Sequence, residues 1–126
     1  MATEAFVTEE IKNSTSLTGV PETVNRVLVN AANFTYNFNL DTIKNIYGSD
    51  VKKADLLFFS SSYDNHGGAA YVLENGTYVA YYQSRGSWND SIHGQLFTVY
   101  PGKSYTAYSR LVRGYYTQIV VRHVYR

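Results

Sequence analysis

Cysteine is absent from the 126 residues, which excludes a disulfide framework, a thiol nucleophile and a cysteine-based zinc site. Net charge is almost absent too. Eleven bases against ten acids leave +1, too weak a field to draw in nucleic acid or an anionic membrane. Residues 1–55 hold seven acids and five bases, and residues 56–126 hold three acids and six bases, five of them arginine, with no polybasic run. No stretch approaches the ~20 apolar residues of a membrane span, so no transmembrane segment is expected. MATEAFVTEE, at the start, has neither the basic region nor the apolar stretch of a signal peptide. If the protein is exported, this sequence is expected to be a mature form carrying a starting Met.

Motifs of catalysis are equally scarce. His66, His93 and His123 show neither H-x-H nor H-x-x-x-H spacing, so no metal site is expected. Ser60, Ser61 and Ser62 precede His66, but a hydrolytic triad is assembled in space, and adjacency along the chain does not make one. Asp64, Glu74 and Asp90 are the only acids of the second half, a thin supply for paired-carboxylate chemistry. No glycine loop fit for phosphate is present. The expectation is a protein that is not an enzyme and takes no cofactor.

Present in abundance are tyrosine (13 residues), asparagine (ten) and serine with threonine (22). Such a surface is polar without being heavily charged, in the style of cysteine-free exported domains of Gram-positive bacteria. Four Asn-x-Ser/Thr sequons, at Asn13, Asn33, Asn75 and Asn89, would matter only in a eukaryotic secretory pathway.

The length fits one domain with a real core. Residues 1–23 read as a polar arm or edge strand, and residues 24–126 as a single β domain. In FTYNFNLD, Phe34, Tyr36, Phe38 and Leu40 alternate with Thr35, Asn37, Asn39 and Asp41, the period of a half-buried strand. VNRVLVN ahead of it is expected to be strand as well. Asp41 is placed to cap one short helix near residues 41–47 that stops at Gly48. ADLLFFSSS reads as a strand buried on both faces. Asn75-Gly76 marks a hairpin, and Pro101-Gly102 a second one. TQIVVRHVY closes the chain as a strand, with Val121, His123 and Tyr125 on one face. YDNHGG (63–68) supplies the left-handed tolerance of a chain reversal. Strands at even spacing predict a mostly β fold, a single-domain antiparallel β-sandwich or small barrel.

Nine tyrosines and Trp88 crowd into the 46 residues from Tyr71 to Tyr116. Alternation puts Tyr78 with Tyr82 on one face of YVAYYQ and Tyr81 on the other, and separates Tyr105 from Tyr108. Some rings must therefore face outward. Tyrosine is a normal strand former, but rigid amphipathic rings beside arginine donors also make a recognition surface. The candidate ligand-binding residues are Tyr63, His66, Tyr78, Tyr81, Arg85, Trp88, Tyr105, Tyr108 and Arg110. The SRGSW loop, which holds the only tryptophan, leads among them.

Ser61, Tyr63, Asn65, His66, Ala70 and Val72, then Asn75-Gly76, SRGSW at 84–88 and KSYTAY at 103–108, together resemble the lactococcin 972 family. These are small, secreted, cysteine-free bacteriocins with an antiparallel β-sandwich fold. The resemblance covers about residues 55–116. It implies non-enzymatic attack on a competitor's cell envelope. The expected partner is a cell-envelope component, in an antimicrobial toxin. A carbohydrate-binding, lectin-like module and an assembly protein with tyrosine-rich sheets between subunits are the alternatives. A homo-oligomer is compatible with each, and a nucleic-acid partner is not expected.

Overall fold

The computed structural model describes residues 20–63, 68–83, 90–112 and 114–126. Strands β1 (Pro21–Ala31) and β2 (Asn33–Phe38) are followed by helix α1 (Leu40–Tyr47). Then come β3 (Lys53–Tyr63), β4 (Ala69–Glu74), β5 (Thr77–Gln83), β6 (Asp90–Val99), β7 (Tyr105–Arg110) and β8 (Tyr116–Tyr125). They form two four-stranded sheets, β1-β8-β3-β6 and β2-β7-β4-β5, with every pairing antiparallel. Each sheet keeps two open edges, so the fold is a β-sandwich and not a closed barrel. β1, which begins at Pro21, is an edge of the first sheet. Residues 1–19 of the expected polar arm lie outside the described residues.

Strands that follow one another face each other across the sandwich: β3 lies against β4, β6 against β5 and β8 against β7. The layer between the sheets is built from Phe38, Leu56, Phe58, Val72, Tyr82, Phe97, Tyr105, Ile119 and Val121 among others, all buried. Burying such side chains removes apolar surface from water at about 25 cal/mol per Å². One polar strand of contacts crosses this layer. Ser109 Oγ lies 2.8 Å from both the Ala32 carbonyl and Thr117 Oγ1, and Ser60 Oγ lies 3.1 Å from Thr117 Oγ1. The buried hydroxyls thus satisfy one another, as their burial demands.

The FTYNF alternation is as the period predicts, with Phe34, Tyr36 and Phe38 packed inward and Asn33, Thr35 and Asn37 exposed. Leu40 leaves the strand pattern to open α1, whose Leu40 and Ile43 plug one end of the core. The cap is Asn39, where the spacing pointed to Asp41. Its Oδ1 accepts from the Thr42 N–H at 3.3 Å while Thr42 Oγ1 accepts from the Asn39 N–H at 3.2 Å, a reciprocal capping box. Asp41 instead sits in the first turn, where its charge complements the helix dipole. Gly48 ends the helix at φ 119°.

Asn75-Gly76 joins β4 to β5 as a hairpin, both residues at positive φ (48° and 88°), the signature of a type I′ turn. Pro101-Gly102 does not make a hairpin. β6 belongs to the first sheet and β7 to the second, so this turn is a corner between sheets. Tyr105 holds it: its hydroxyl accepts from the Tyr100 N–H at 2.8 Å and donates to Glu74 at 2.6 Å, a geometry akin to the tyrosine corner of other sandwiches. ADLLFFSSS is not buried on both faces. Ala54, Leu56, Phe58 and Ser60 are buried, whereas Asp55, Leu57, Phe59 and Ser61 are only half-buried on the outer surface. The closing strand β8 lies inside its sheet between β1 and β3. Its register slips at Arg122, because Asp55 pairs with His123 but Leu56 with Val121. That extra residue leaves Val121 buried and sends His123 and Tyr125 to the outer face, where both bond to Asp55.

Candidate functional site

The outer face of the second sheet carries a contiguous cluster of tyrosines. Tyr71 on β4 stands directly opposite Tyr108 on β7 and Tyr81 on β5. Its ring stacks on Tyr108 with centroids 4.9 Å apart and planes at 22°. Tyr78 meets Tyr71 edge-on at 5.3 Å and Tyr81 edge-on at 5.2 Å. Stacked and edge-to-face pairs of this kind satisfy the ring quadrupoles and add to the area buried between rings. The cluster is not closed over: Tyr78 remains 59% exposed and Tyr81 41%.

A β-bulge creates this arrangement. Val72 pairs with Ala80, but Leu73 pairs with Tyr78, so Val79 is an extra residue in β5. The insertion moves Tyr78 off the face of Tyr82, where plain alternation had put it, and onto the face of Tyr81. Tyr82 points into the core. The carbonyl of Val79 accepts from the Gln95 side chain of β6 at 3.3 Å, which ties the bulge to the facing sheet.

Polar groups surround the rings. Arg110 Nε donates to the Tyr108 hydroxyl at 2.8 Å, and its guanidinium carbon lies 5.8 Å from that ring's centroid. The Tyr81 hydroxyl donates to Gln83 at 2.7 Å, and Thr106 donates to Asn37 at 2.8 Å. The Tyr71 hydroxyl is held above its ordinary pKa, first by burial and then by its neighbours Tyr78 and Tyr108, so it is a neutral donor at physiological pH. Beyond Asn37 and Thr106 the face runs into an open groove of about 380 Å³ lined by Asn37, Asn39, Thr42, Ser104 and Thr106 among others. Arg110 is the one cation on the face among the described residues. At the start of β4, Gly68 has φ 129°, and a Cβ there would lie 2.8 Å from the Arg110 carbonyl. Only glycine lets the two strands approach so closely at this corner.

Of the residues singled out from the sequence, Tyr78, Tyr81, Tyr108 and Arg110 come together on this face. Tyr105 does not. It is 1% exposed, stacks on Phe38 at 5.5 Å, and spends its hydroxyl on the corner. Burial, followed by the bond to Glu74, raises its pKa well above the ordinary tyrosine range. Its period-two relation to Tyr108 had already separated the pair, and the core took Tyr105. His66, Arg85, Trp88 and the side chain of Tyr63 lie outside the described residues. Tyr71, the centre of the cluster, is only one of nine crowded tyrosines in the sequence. Its role comes from cross-strand register, for which the linear chain carries no signal.

A second polar cluster lies on the outer face of the first sheet. Asp55 accepts from Tyr125 at 2.8 Å and Thr98 at 2.9 Å, and lies 3.2 Å from His123 Nδ1. Burial pushes the Asp55 carboxyl up, but the bonds from Tyr125, Thr98 and His123 outweigh it and hold the group below its ordinary value. Among the described residues no three His, Asp or Glu side chains converge as a metal site would require, and no helix is long and apolar enough to cross a membrane. No family model, no curated protein and no solved structure matches the chain.

Proposed function

We propose that this protein is an exported, non-catalytic binding module that takes a cell-envelope glycan on the tyrosine face of its second sheet. The observation that carries the reading is the contiguous Tyr108–Tyr71–Tyr78–Tyr81 cluster, rimmed by Arg110, Gln83, Asn37 and Thr106. A sugar ring has an apolar C–H face and a rim of hydroxyls. Tyrosine rings match the first, and amide, hydroxyl and guanidinium groups match the second. A stacked nucleic acid would need more positive charge than Arg110 and Arg85 supply. Arg85 and Trp88, in the segment joining β5 to β6, belong to the proposal as further ligand contacts.

Calorimetric titration with soluble fragments of peptidoglycan, teichoic acid and β-glucan tests it. One fragment class is expected to bind, with Tyr78→Ala and Tyr81→Ala each weakening it about tenfold, or roughly 1.4 kcal/mol. Absence of binding across the panel, or binding untouched by both variants, overturns the reading. The toxin form of the proposal rests on the resemblance to bacteriocins. It requires the native protein, but not Tyr78→Ala, to inhibit growth of a Gram-positive indicator strain.

A further inference from the structure

The tyrosine face is sorted by hydrogen-bonding role as well as by shape. Its outward positions fall into rows that cross all four strands of the second sheet. The middle row is Thr35, Tyr108, Tyr71 and Tyr81, and the row beside it is Asn33, Arg110, Ala69 and Gln83. Ala69 is the small member of that second row, so the surface dips between Arg110 and Gln83, which are both exposed. The bonds already made on this rim use up acceptors. The Tyr108 hydroxyl oxygen accepts from Arg110 Nε, and Gln83 Oε1 accepts from the Tyr81 hydroxyl. Donors are left over: the Tyr108 O–H, the Gln83 amide nitrogen and the two terminal nitrogens of Arg110, which has no other bonding partner among the described residues. No acid faces outward with them there. Glu74, the one acid in these four strands, is engaged with Tyr105 and Lys103 instead.

We infer that the ligand of this face is an acidic oligosaccharide, whose carboxylate or phosphate is held by Arg110 beside Ala69 while its sugar rings lie along Tyr71, Tyr78 and Tyr81. The inference rests on the glycan reading above and adds the sign of the ligand's charge. A neutral sugar offers hydroxyls that donate as well as accept, and it leaves the guanidinium without a counter-charge. An anion offers acceptors only, the complement of the donors left free on this rim. Arg110 is preset to receive it. Tyr108 occupies its Nε, which leaves the end-on pair of terminal nitrogens to take two oxygens of one anion in parallel bonds. Packing of the guanidinium against the Tyr108 ring, 5.8 Å from its centroid, reduces the side-chain freedom that binding has to freeze. From β7, which carries Arg110, to β5, which carries Tyr78 and Tyr81, is two strand spacings, or about 10 Å. A single sugar ring does not reach across that span, so the ligand is an oligosaccharide.

Calorimetry on the full chain with matched probes tests the sign of the charge. The probes are a galacturonic acid oligomer, its methyl ester, which has the same sugar skeleton without the charge, and a phosphodiester-linked oligosaccharide. At least one of the two acids is expected to bind about fivefold or more tightly than the ester, and the tighter acid identifies carboxylate or phosphate as the group that Arg110 takes. Arg110→Gln is expected to bring the favoured acid down to the level of the ester. Arg110→Lys, which keeps the charge and loses the fork, is expected to retain only part of the preference. An ester that binds as tightly as both acids overturns the inference, as does a folded Arg110→Gln variant that still prefers the acid. If Arg110→Gln does not fold, the comparison of acid with ester on the native protein decides alone. Failure of both acids to bind also overturns it. Binding of neutral β-glucan in that case leaves the glycan reading standing, whereas silence from every fragment removes both.

Discussion

Tyr105 and Tyr108 stand three residues apart on one strand and serve opposite ends. The Tyr105 ring fills the core and its hydroxyl pins a corner, whereas Tyr108 stacks under Tyr71 on the outer surface. Tyr105→Phe keeps the ring and removes the bonds to Glu74 and to the Tyr100 N–H. Chemical denaturation is expected to show a loss of about 1–3 kcal/mol, the cost of leaving such groups unpaired, with glycan binding unchanged. Asp55 offers a pH test. Its folded pKa is depressed, so the stabilisation is fully present above the ordinary aspartate value of about 3.9 and is lost as pH falls through the lower folded value. Asp55→Asn is expected to melt lower than the native protein at pH 7, with the gap closing as the melts are carried below pH 4. A gap that stays constant with pH would sink this account.

At the scale of the element, single inserted residues decide which way side chains point. Alternation has a period of two, so one extra residue carries everything beyond it to the opposite face. Val79 does this in β5 and Arg122 in β8. The Val79 bulge has a counterintuitive consequence. Deleting Val79 yields a regular strand in which Tyr78, now adjacent to inward-facing Ala80, still points outward opposite Leu73. The deletion variant is expected to fold and to retain glycan binding. Without a bulge, the same deletion would flip Tyr78 from one face to the other, and loss of binding in a folded variant would count against the register described here. The turns differ in the same spirit. Asn75-Gly76 joins neighbours in one sheet, and Pro101-Gly102 joins strands in different sheets. The two turns also touch, since Asn75 Oδ1 accepts from the Ser104 N–H at 2.8 Å and Asn75 N–H donates to the Ser104 carbonyl at 2.8 Å.

The whole molecule presents two broad faces of unlike chemistry, one aromatic with a polar rim and one aliphatic. Arg126 joins three elements: it bonds to Glu22 of β1 at 3.0 Å, to Asp50 at 2.7 Å and to the Tyr47 carbonyl at the end of α1 at 2.9 Å. The two faces are expected to separate by mutation: Tyr78→Ala weakens binding of a soluble fragment in calorimetry, whereas Leu96→Lys, on the opposite sheet, keeps native affinity. Equal loss in both variants would count against a ligand on the tyrosine face.

Local features were legible in the sequence because their causes are local. The FTYNF alternation, the Asn75-Gly76 hairpin, the stop at Gly48 and the sandwich class follow from hydrophobic period and turn chemistry within a few residues. So does the abundance of outward-facing tyrosine. The choice of Asn39 over Asp41 as cap was less legible, because both are good capping residues and the packing of Leu40 and Ile43 settles the phase of the helix. Which tyrosines meet was not legible at all. Tyr71 faces Tyr108 and Tyr81 only through the pairing of β4 with β7 and β5, and Tyr78 joins them only through the bulge at Val79. On the outer face of the first sheet, the apolar row of Val27, Val120, Leu57 and Leu96 likewise takes one residue from each of four strands that lie far apart in the chain. Alternation along the strands determined that this protein would turn some of its tyrosines outward. Tertiary structure decided where, because strand register is set by packing between distant segments and no local preference encodes it.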